Sequence, residues 1–325
     1  MLRRIRNMDK FVPALLLVIV IASIIPEPAQ PRGLLSLHTV GDIGITLIFF
    51  FYGLKLNLGS LRQDLGNWHL HILVQGAVFI LFPLLVYPFY KVFHEGPFSL
   101  LWLGAFFLAA LPSTVSSSVV MVLIARGNIP GAIFNASVSS MAGIFLTPMW
   151  MGLVGSYGSA GASEFGPVVL KLILQVLVPV LVGLSLNRYF GRWAQRRMRF
   201  LRLFDQSIIL LTVYLCFAES FMNKLFSGTG VPEIIIMVLL SGILFFIVFG
   251  IVYFIAGRLH FSREDKITAV FSGSKKSLIH GTVMAAIIFK DMGGVGVILL
   301  PLMVYHALQL VLSGIIANKF AVTAK

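Results

Sequence analysis

Residues 267–289 read ITAVFSGSKKSLIHGTVMAAIIF. Apolar sequence flanks a polar middle of Ser272, Gly273, Ser274, Lys275, Lys276 and Ser277. A helix needs about 20 residues to cross a hydrocarbon core of roughly 30 Å, so the lysines fall at mid-span. A charge there costs about 2.5–3.5 kcal/mol on insertion scales, and it usually faces a protein interior or a wet cavity. A helix starting after Ser277 would leave both lysines in a loop, but they lie too far from either end of the apolar run for that. Neighbouring helical residues point about 100° apart. One lysine is therefore expected at a cavity, the other bonding freed backbone carbonyls or snorkelling. His280 stands at i+4 from Lys276, placed either to relay protons or to act as a neutral hydrogen-bonding core residue.

A second interruption lies in residues 106–127, FFLAALPSTVSSSVVMVLIARG. Pro112 cannot donate a backbone hydrogen bond, and Ser113, Thr114, Ser116, Ser117 and Ser118 follow directly. Hydroxyls and freed carbonyls suit a small hard cation or the polar end of an anionic substrate. The plainer alternative is serines that permit close helix packing or back-bond to carbonyls. Further on, Asn135 and Ser139 share a helix face at i, i+4 and join the candidate site. Ala132, Ala136 and Ser140 read as a small-xxx-small packing stripe.

Composition fits this picture. Of 325 residues, 58% are hydrophobic and 11% charged, against roughly 25% charged in an average soluble domain. Mean hydropathy is +0.96 and the pI about 10.1. A cytosolic enzyme, a secreted disulfide scaffold and a disordered chain are excluded. The net charge of +13 does not indicate nucleic acid, because the basic residues sit between long apolar runs, as in membrane loops. Cys216, the single cysteine, cannot form an intrachain disulfide.

The apolar runs are continuous, not alternating, so they predict helices. Ten spans are expected, at about 9–26, 35–57, 69–90, 98–125, 129–153, 166–188, 204–223, 233–257, 265–289 and 295–318. The first, after Arg3, Arg4, Arg6 and Lys10, is expected to be a retained helix, not a cleaved signal peptide. With the N-terminus inside, 18 basic residues fall in inner segments and 4 in outer loops, which supports ten spans and cytoplasmic termini. The densest inner cluster, Arg188 to Arg202, follows span 6. Five spans in 1–160 and five in 161–325 give two halves of opposite orientation. The interrupted spans 4 and 9 hold equivalent positions in them. That is the best sequence pointer to the binding site of a secondary transporter.

Other intramembrane polar residues carry weaker signals. Asp42 and Glu219 sit near helix ends and could pair with a lysine, and Gln75, His306 and Gln309 are lone polar groups in apolar runs. No Walker A loop, HExxH, GxSxG or paired CxxC occurs. An intramembrane enzyme would rest on Ser277 with His280 at i+3 alone, so the chain is expected not to be an enzyme. The alternative to transport is a non-transporting membrane regulator or scaffold with a transporter fold.

Three stretches carry a family resemblance: IFFFYGLKLNLGSL (48–61), LPSTVSSSVVMVLIARGNIPGAIFNASVSS (111–140) and FSGSKKSLIHGTVMA (271–285). Over nearly its full length the chain resembles the bile acid:sodium symporter family, solute carrier family 10, on the branch of its seventh member. The resemblance implies a panel domain (helices 1, 2, 6, 7) and a core domain (3–5, 8–10), with broken helices 4 and 9 crossing in the core. It also implies sodium-driven passage of a small organic anion by alternating access. The expected setting is a bacterial inner membrane, with the lipid bilayer and the anion as partners and no nucleic acid.

Carried over residue by residue, the family's first sodium site falls on Ser117 and Ser118, with Asn135, Ser137 and Ser139 the nearest polar groups on helix 5. Its helix-9 Glu falls on Phe271, and the following Gly-Met-Gln-Asn-Ser falls on Gly273, Ser274, Lys275, Lys276 and Ser277. A carboxylate is lost and an ammonium gained. A like-charge contact at about 4 Å and an effective dielectric near 20 costs roughly 4 kcal/mol, which opposes sodium occupancy. A lysine ammonium is therefore expected in place of a bound cation. Transport is then uncoupled from sodium or coupled to lysine protonation, with no cofactor.

Overall fold

A computed structural model describes residues 11–30, 36–55, 66–93, 95–96, 98–154, 170, 173–226, 230–290 and 292–322. Arg3, Arg4, Arg6, Lys10, Arg32, Arg62, Lys171 and Lys325 lie outside them. The protein is all-helical, with no strand among the described residues. The helices are α1 (Phe11–Ile24), α2 (Leu37–Lys55), α3 (Trp68–Phe93), α4 (Ser99–Ala110), α5 (Ser116–Ala125) and α6 (Ile129–Val154). They continue with α7 (Ile173–Arg196), α8 (Met198–Met222), α9 (Val231–Arg258), α10 (Arg263–Gly273), α11 (Leu278–Ile288) and α12 (Val295–Val322). Seven of them, α2, α3, α6, α7, α8, α9 and α12, are long and apolar enough to cross a membrane. The chain is thus a multi-pass membrane protein, and α1, α4 and α5 are shorter apolar helices.

Local chemistry explains the breaks. Pro112 has no N–H and disfavours helical geometry in the residue before it; Leu111 is extended (φ −73°, ψ 154°), and α4 stops at Ala110. In α3 the residues Ala77–Leu81 widen into a π turn, with the Phe82 N–H returning to the Ala77 carbonyl. Pro83, next in line, has no N–H to give. Ser262 caps α10 by accepting the Asp265 N–H at 3.0 Å, and Glu264 and Asp265 suit the positive end of that helix. The helix ends at Gly273, and α11 begins at Leu278 after four non-helical residues.

The boundaries correct the sequence expectation in one region. Spans 6 and 7 were expected at 166–188 and 204–223, but α7 runs on to Arg196 and α8 starts at Met198. Arg188, Arg192, Arg196, Arg199 and Arg202 are therefore helical rather than in a loop. Arginine is a good helix former, so hydropathy marks the hydrocarbon edge and not the helix end.

Two compact units emerge from the contacts. The first comprises Met1–Leu56, Gly166–Ser227 and Thr282–Val297. Within it α2 and α7 cross closely: a side chain at Gly53 would strike the Val180 carbonyl, and one at Gly183 the Phe50 carbonyl. Lys55 and Asp205 pair there at 2.8 Å, both largely buried. Asp42 pairs with Lys290 at 3.3 Å in an exposed position, not with a mid-span lysine. The second unit comprises Asn57–Phe165, Gly228–Gly281 and Ile298–Lys325 and holds both helix breaks, while α11 beyond Gly281 falls in the first unit. There Gly104 lies against the Ile298 carbonyl, and Gly281 against Leu302 and Leu111. These glycines let α4, α11 and α12 approach closely.

Candidate functional site

The two breaks meet within the second unit. The Ser113 hydroxyl donates to the Ser272 carbonyl at 2.6 Å, and the Ser277 N–H donates to the Pro112 carbonyl at 2.9 Å. Each unwound segment thus satisfies polar groups that the other leaves open, as buried backbone requires. Neighbouring helices complete the set. The Ser113 N–H donates to Ser139 Oγ (2.9 Å), and the Thr147 hydroxyl to the Ala110 carbonyl (2.8 Å). Tyr305 donates its hydroxyl to the Ser274 carbonyl (2.7 Å). Gln309 clamps Lys276 on both sides: its Oε1 accepts the Lys276 N–H and its Nε2 donates to the Lys276 carbonyl, each at 2.8 Å.

Lys275 and Lys276 are fully buried. Among the described residues neither forms an ion pair with a carboxylate. Lys276 Nζ instead donates to the carbonyls of Val78, Ala109 and Leu111, at 2.7, 2.7 and 2.8 Å. It also lies 4.2 Å from the centre of the Phe82 ring, within cation–π range. A lysine ammonium has three N–H donors, and all three are used. Among the described residues Lys275 Nζ makes a single bond, to the Ser117 carbonyl at 2.9 Å. Bonds from a charged donor are worth about 1.5–3 kcal/mol, so Lys276 is held far more firmly than Lys275.

Several expected residues sit elsewhere in the network. Thr114 Oγ1 lies 2.8 Å from Ser117 Oγ and 2.7 Å from Ser118 Oγ. Asn135 shares a helix with Ser139 but points towards α3. Its Nδ2 donates to Gly131 and lies 3.0 Å from His71 Nδ1, while its Oδ1 accepts from Gln75 Nε2 at 3.2 Å. No bond joins Asn135 to Ser117 or Ser118 among the described residues. Ser137 returns its hydroxyl to the Ile133 carbonyl. His280 is not one turn beyond Lys276, because the chain at Lys276 is not helical. Its Nδ1 lies 2.9 Å from Ser277 Oγ, which also accepts the His280 N–H at 3.3 Å. That is an N-cap for α11, which gives the Ser277–His280 pair a structural role. Gln309 and Tyr305, which anchor the second break, carried little or no signal in the sequence.

The oxygens assigned to sodium by resemblance do not fit a metal ion here. The Ser117 carbonyl already accepts an ammonium, both serine hydroxyls bond Thr114, and the Asn135 amide is engaged on another face. What the site offers is a buried lysine nitrogen close to the Ser117, Ser118 and Thr114 hydroxyls.

Comparison with known proteins agrees with the geometry. The chain is 36% identical to the uncharacterized protein PA2026 of Pseudomonas aeruginosa over 96% of its length and 93% of that protein's. It is 35% identical to YfeH of Escherichia coli K12, a symporter by provisional name, over 97% and 93%. It is 28% identical to sodium/bile acid cotransporter 7-B of Xenopus laevis over 97% and 92%. Residues 9–322 match the family profile, and with two interlocked helix breaks inside an apolar multi-pass chain, the protein belongs to the SBF-like CPA transporter family.

Proposed function

We propose that this protein is a secondary transporter that carries a small organic anion across a bacterial inner membrane by alternating access, without coupling to sodium. The observation that carries the reading is the pair of buried lysines at the meeting of two helix breaks. Each lacks a carboxylate partner among the described residues. A charge buried at membrane depth marks a pathway, and a positive site with hydroxyls beside it recognises a carboxylate or sulfate. The names of YfeH and the amphibian cotransporter support carriage of a solute.

In this reading ten spans form two inverted repeats, 1–160 and 161–325, with both termini cytoplasmic. The unit containing α1, α2, α7 and α8 is the panel; the one containing α3–α6, α9, α10 and most of α12 is the core. The division of contacts supports that assignment except at Thr282–Val297, most of α11 and the start of α12, which group with the first unit. Lys275, with one hydrogen bond among the described residues, is the group that meets the anion. Pro112, Ser113, Thr114, Ser116, Ser117 and Ser118, together with Ser272, Gly273, Ser274, Ser277 and His280, shape the site from the two breaks. Ser139 braces the first break, and Asn135 links α6 to α3.

Uptake of labelled organic anions into proteoliposomes tests this. Flux at equal rates in sodium and potassium, lost in Lys275→Ala, is expected. Strong saturable stimulation by sodium alone overturns the uncoupled reading. No flux of any anion, with Lys275→Ala unaltered in stability and folding, turns the argument towards a scaffold.

A further inference from the structure

We infer that the carbonyls of Val78, Ala109 and Leu111 form a monovalent-cation site whose permanent occupant is the Lys276 ammonium. The inference deepens the proposed function, resting on its reading of the two buried lysines at the meeting of the breaks as the working site, but its test needs no transport.

The cradle is made by the backbone and not by the lysine. At Val78 the π turn gives the Phe82 N–H to Ala77, and the following Pro83 has no N–H, so the Val78 carbonyl has no helix donor. Ala109 is in the last turn of α4, where the Ser113 N–H that would reach it goes to Ser139 instead. Leu111 lies beyond the end of α4 and is extended. All three oxygens converge on one point because of Pro83, Pro112 and the π turn. The C-terminus of α4 adds the negative end of its macrodipole. The Phe82 ring closes one side.

Carbonyl oxygens so arranged replace the hydration shell of a monovalent cation. Oxygens at 2.7–2.8 Å from the ammonium nitrogen suit a cation of its own size, such as ammonium or potassium. The Gln309 clamp holds the Lys276 backbone in register, so the side chain delivers its charge without searching. A tethered cation makes the break independent of the ions outside.

The experiment compares wild type, Lys276→Ala and Lys276→Met, purified in detergent, by thermal unfolding in choline, potassium and ammonium chloride at equal ionic strength. Lys276→Ala opens the cradle. Its Tm is expected to fall in choline and to rise by about 3 °C when potassium or ammonium reaches roughly ten times its Kd. Lys276→Met fills the space with a neutral chain, so it is expected to lose stability and show no ion response. Wild type should not respond either. A Lys276→Ala protein indifferent to both ions, or a Lys276→Met protein as stable as wild type, overturns the inference. Should Lys276→Ala fail to fold in choline, its yield is measured after solubilisation in potassium or ammonium; recovery supports the site and failure in every salt overturns it. Wild-type protein without flux would sink the transport reading and leave this result standing.

Discussion

Gln309 gives the sharpest test of how the second break is held. Its amide is fully buried and bonds both backbone groups of Lys276, while Nε2 also lies 2.9 Å from His306 Nδ1. Gln309→Leu keeps the volume and removes both bonds. Interhelical side-chain bonds in membranes average only about 0.6 kcal/mol, because an unfolded helix in lipid finds other partners. That discount does not apply fully here, since the groups left open are a backbone N–H and a backbone carbonyl in an unwound segment. Each such orphan costs about 1–3 kcal/mol, so the loss is expected at roughly 2–6 kcal/mol. Gln309→Glu separates the two bonds. A carboxylate accepts the Lys276 N–H but cannot donate to its carbonyl when ionised. Denaturant unfolding in micelles reads both variants, with Gln309→Leu expected below wild type by the full amount. A Gln309→Leu protein within about 1 kcal/mol of wild type would show that the break is held by something other than this clamp.

Lys275→Ala removes one bond from a charged donor, so a stability loss of about 1.5–3 kcal/mol is expected, with anion flux abolished in proteoliposomes. Lys276→Met should lose more, having three such bonds. In the first unit, a double-mutant cycle on Lys55 and Asp205, 2.8 Å apart and 17% and 13% exposed, should give coupling of about 2 kcal/mol, between the exposed and buried limits. The same cycle on Asp42 and Lys290, 3.3 Å apart and 44% and 42% exposed, should give under about 0.5 kcal/mol.

The breaks were legible because each interrupts a long apolar run with residues that lipid does not tolerate, Pro112 and its serines in one, Lys275 and Lys276 in the other. Helical periodicity also places Asn135 and Ser139 on one side of α6. It cannot say that two neighbours, α3 and the first break, divide that side between them. His280 was placed against Lys276 by counting helical residues, and the count failed because the break lies between them. Gln309 was hidden for a different reason. Its partner is a backbone segment 33 residues earlier, and a lone glutamine in an apolar helix carries no mark of what it bonds. The π turn had a signal in Pro83, whose missing N–H fixes which carbonyl of α3 is left open, but hydropathy does not register it.

Phe271 decides what the lysines mean for coupling. The resemblance places a carboxylate at this position, yet the ring is fully buried between Phe249 and Phe320, at 6.0 and 6.1 Å between ring centres. Its centre lies 5.9 Å from Lys275 Nζ. Set against Glu, Gln and Asn, the residues Phe271, Lys275 and Lys276 add three positive charges when both lysines are protonated. The site that the resemblance implies, one carboxylate with two sodium ions, carries a net charge of +1; Phe271 with two protonated lysines carries +2. An ion gradient drives transport only through an ion that binds one state better than another, and in the proposed reading sodium has no such role. A monovalent anion carried alone would then move charge. An inside-negative potential drives it outward by about 2.3 kcal/mol per 100 mV. If Lys275 picks up one proton with each anion, the step is electroneutral and the potential drops out. Anion flux measured in proteoliposomes under potassium diffusion potentials separates the two. A rate that follows the potential marks carriage of the anion alone, and a rate that follows only the pH gradient marks a proton held by Lys275. A rate that ignores both but follows sodium refutes the charge argument altogether.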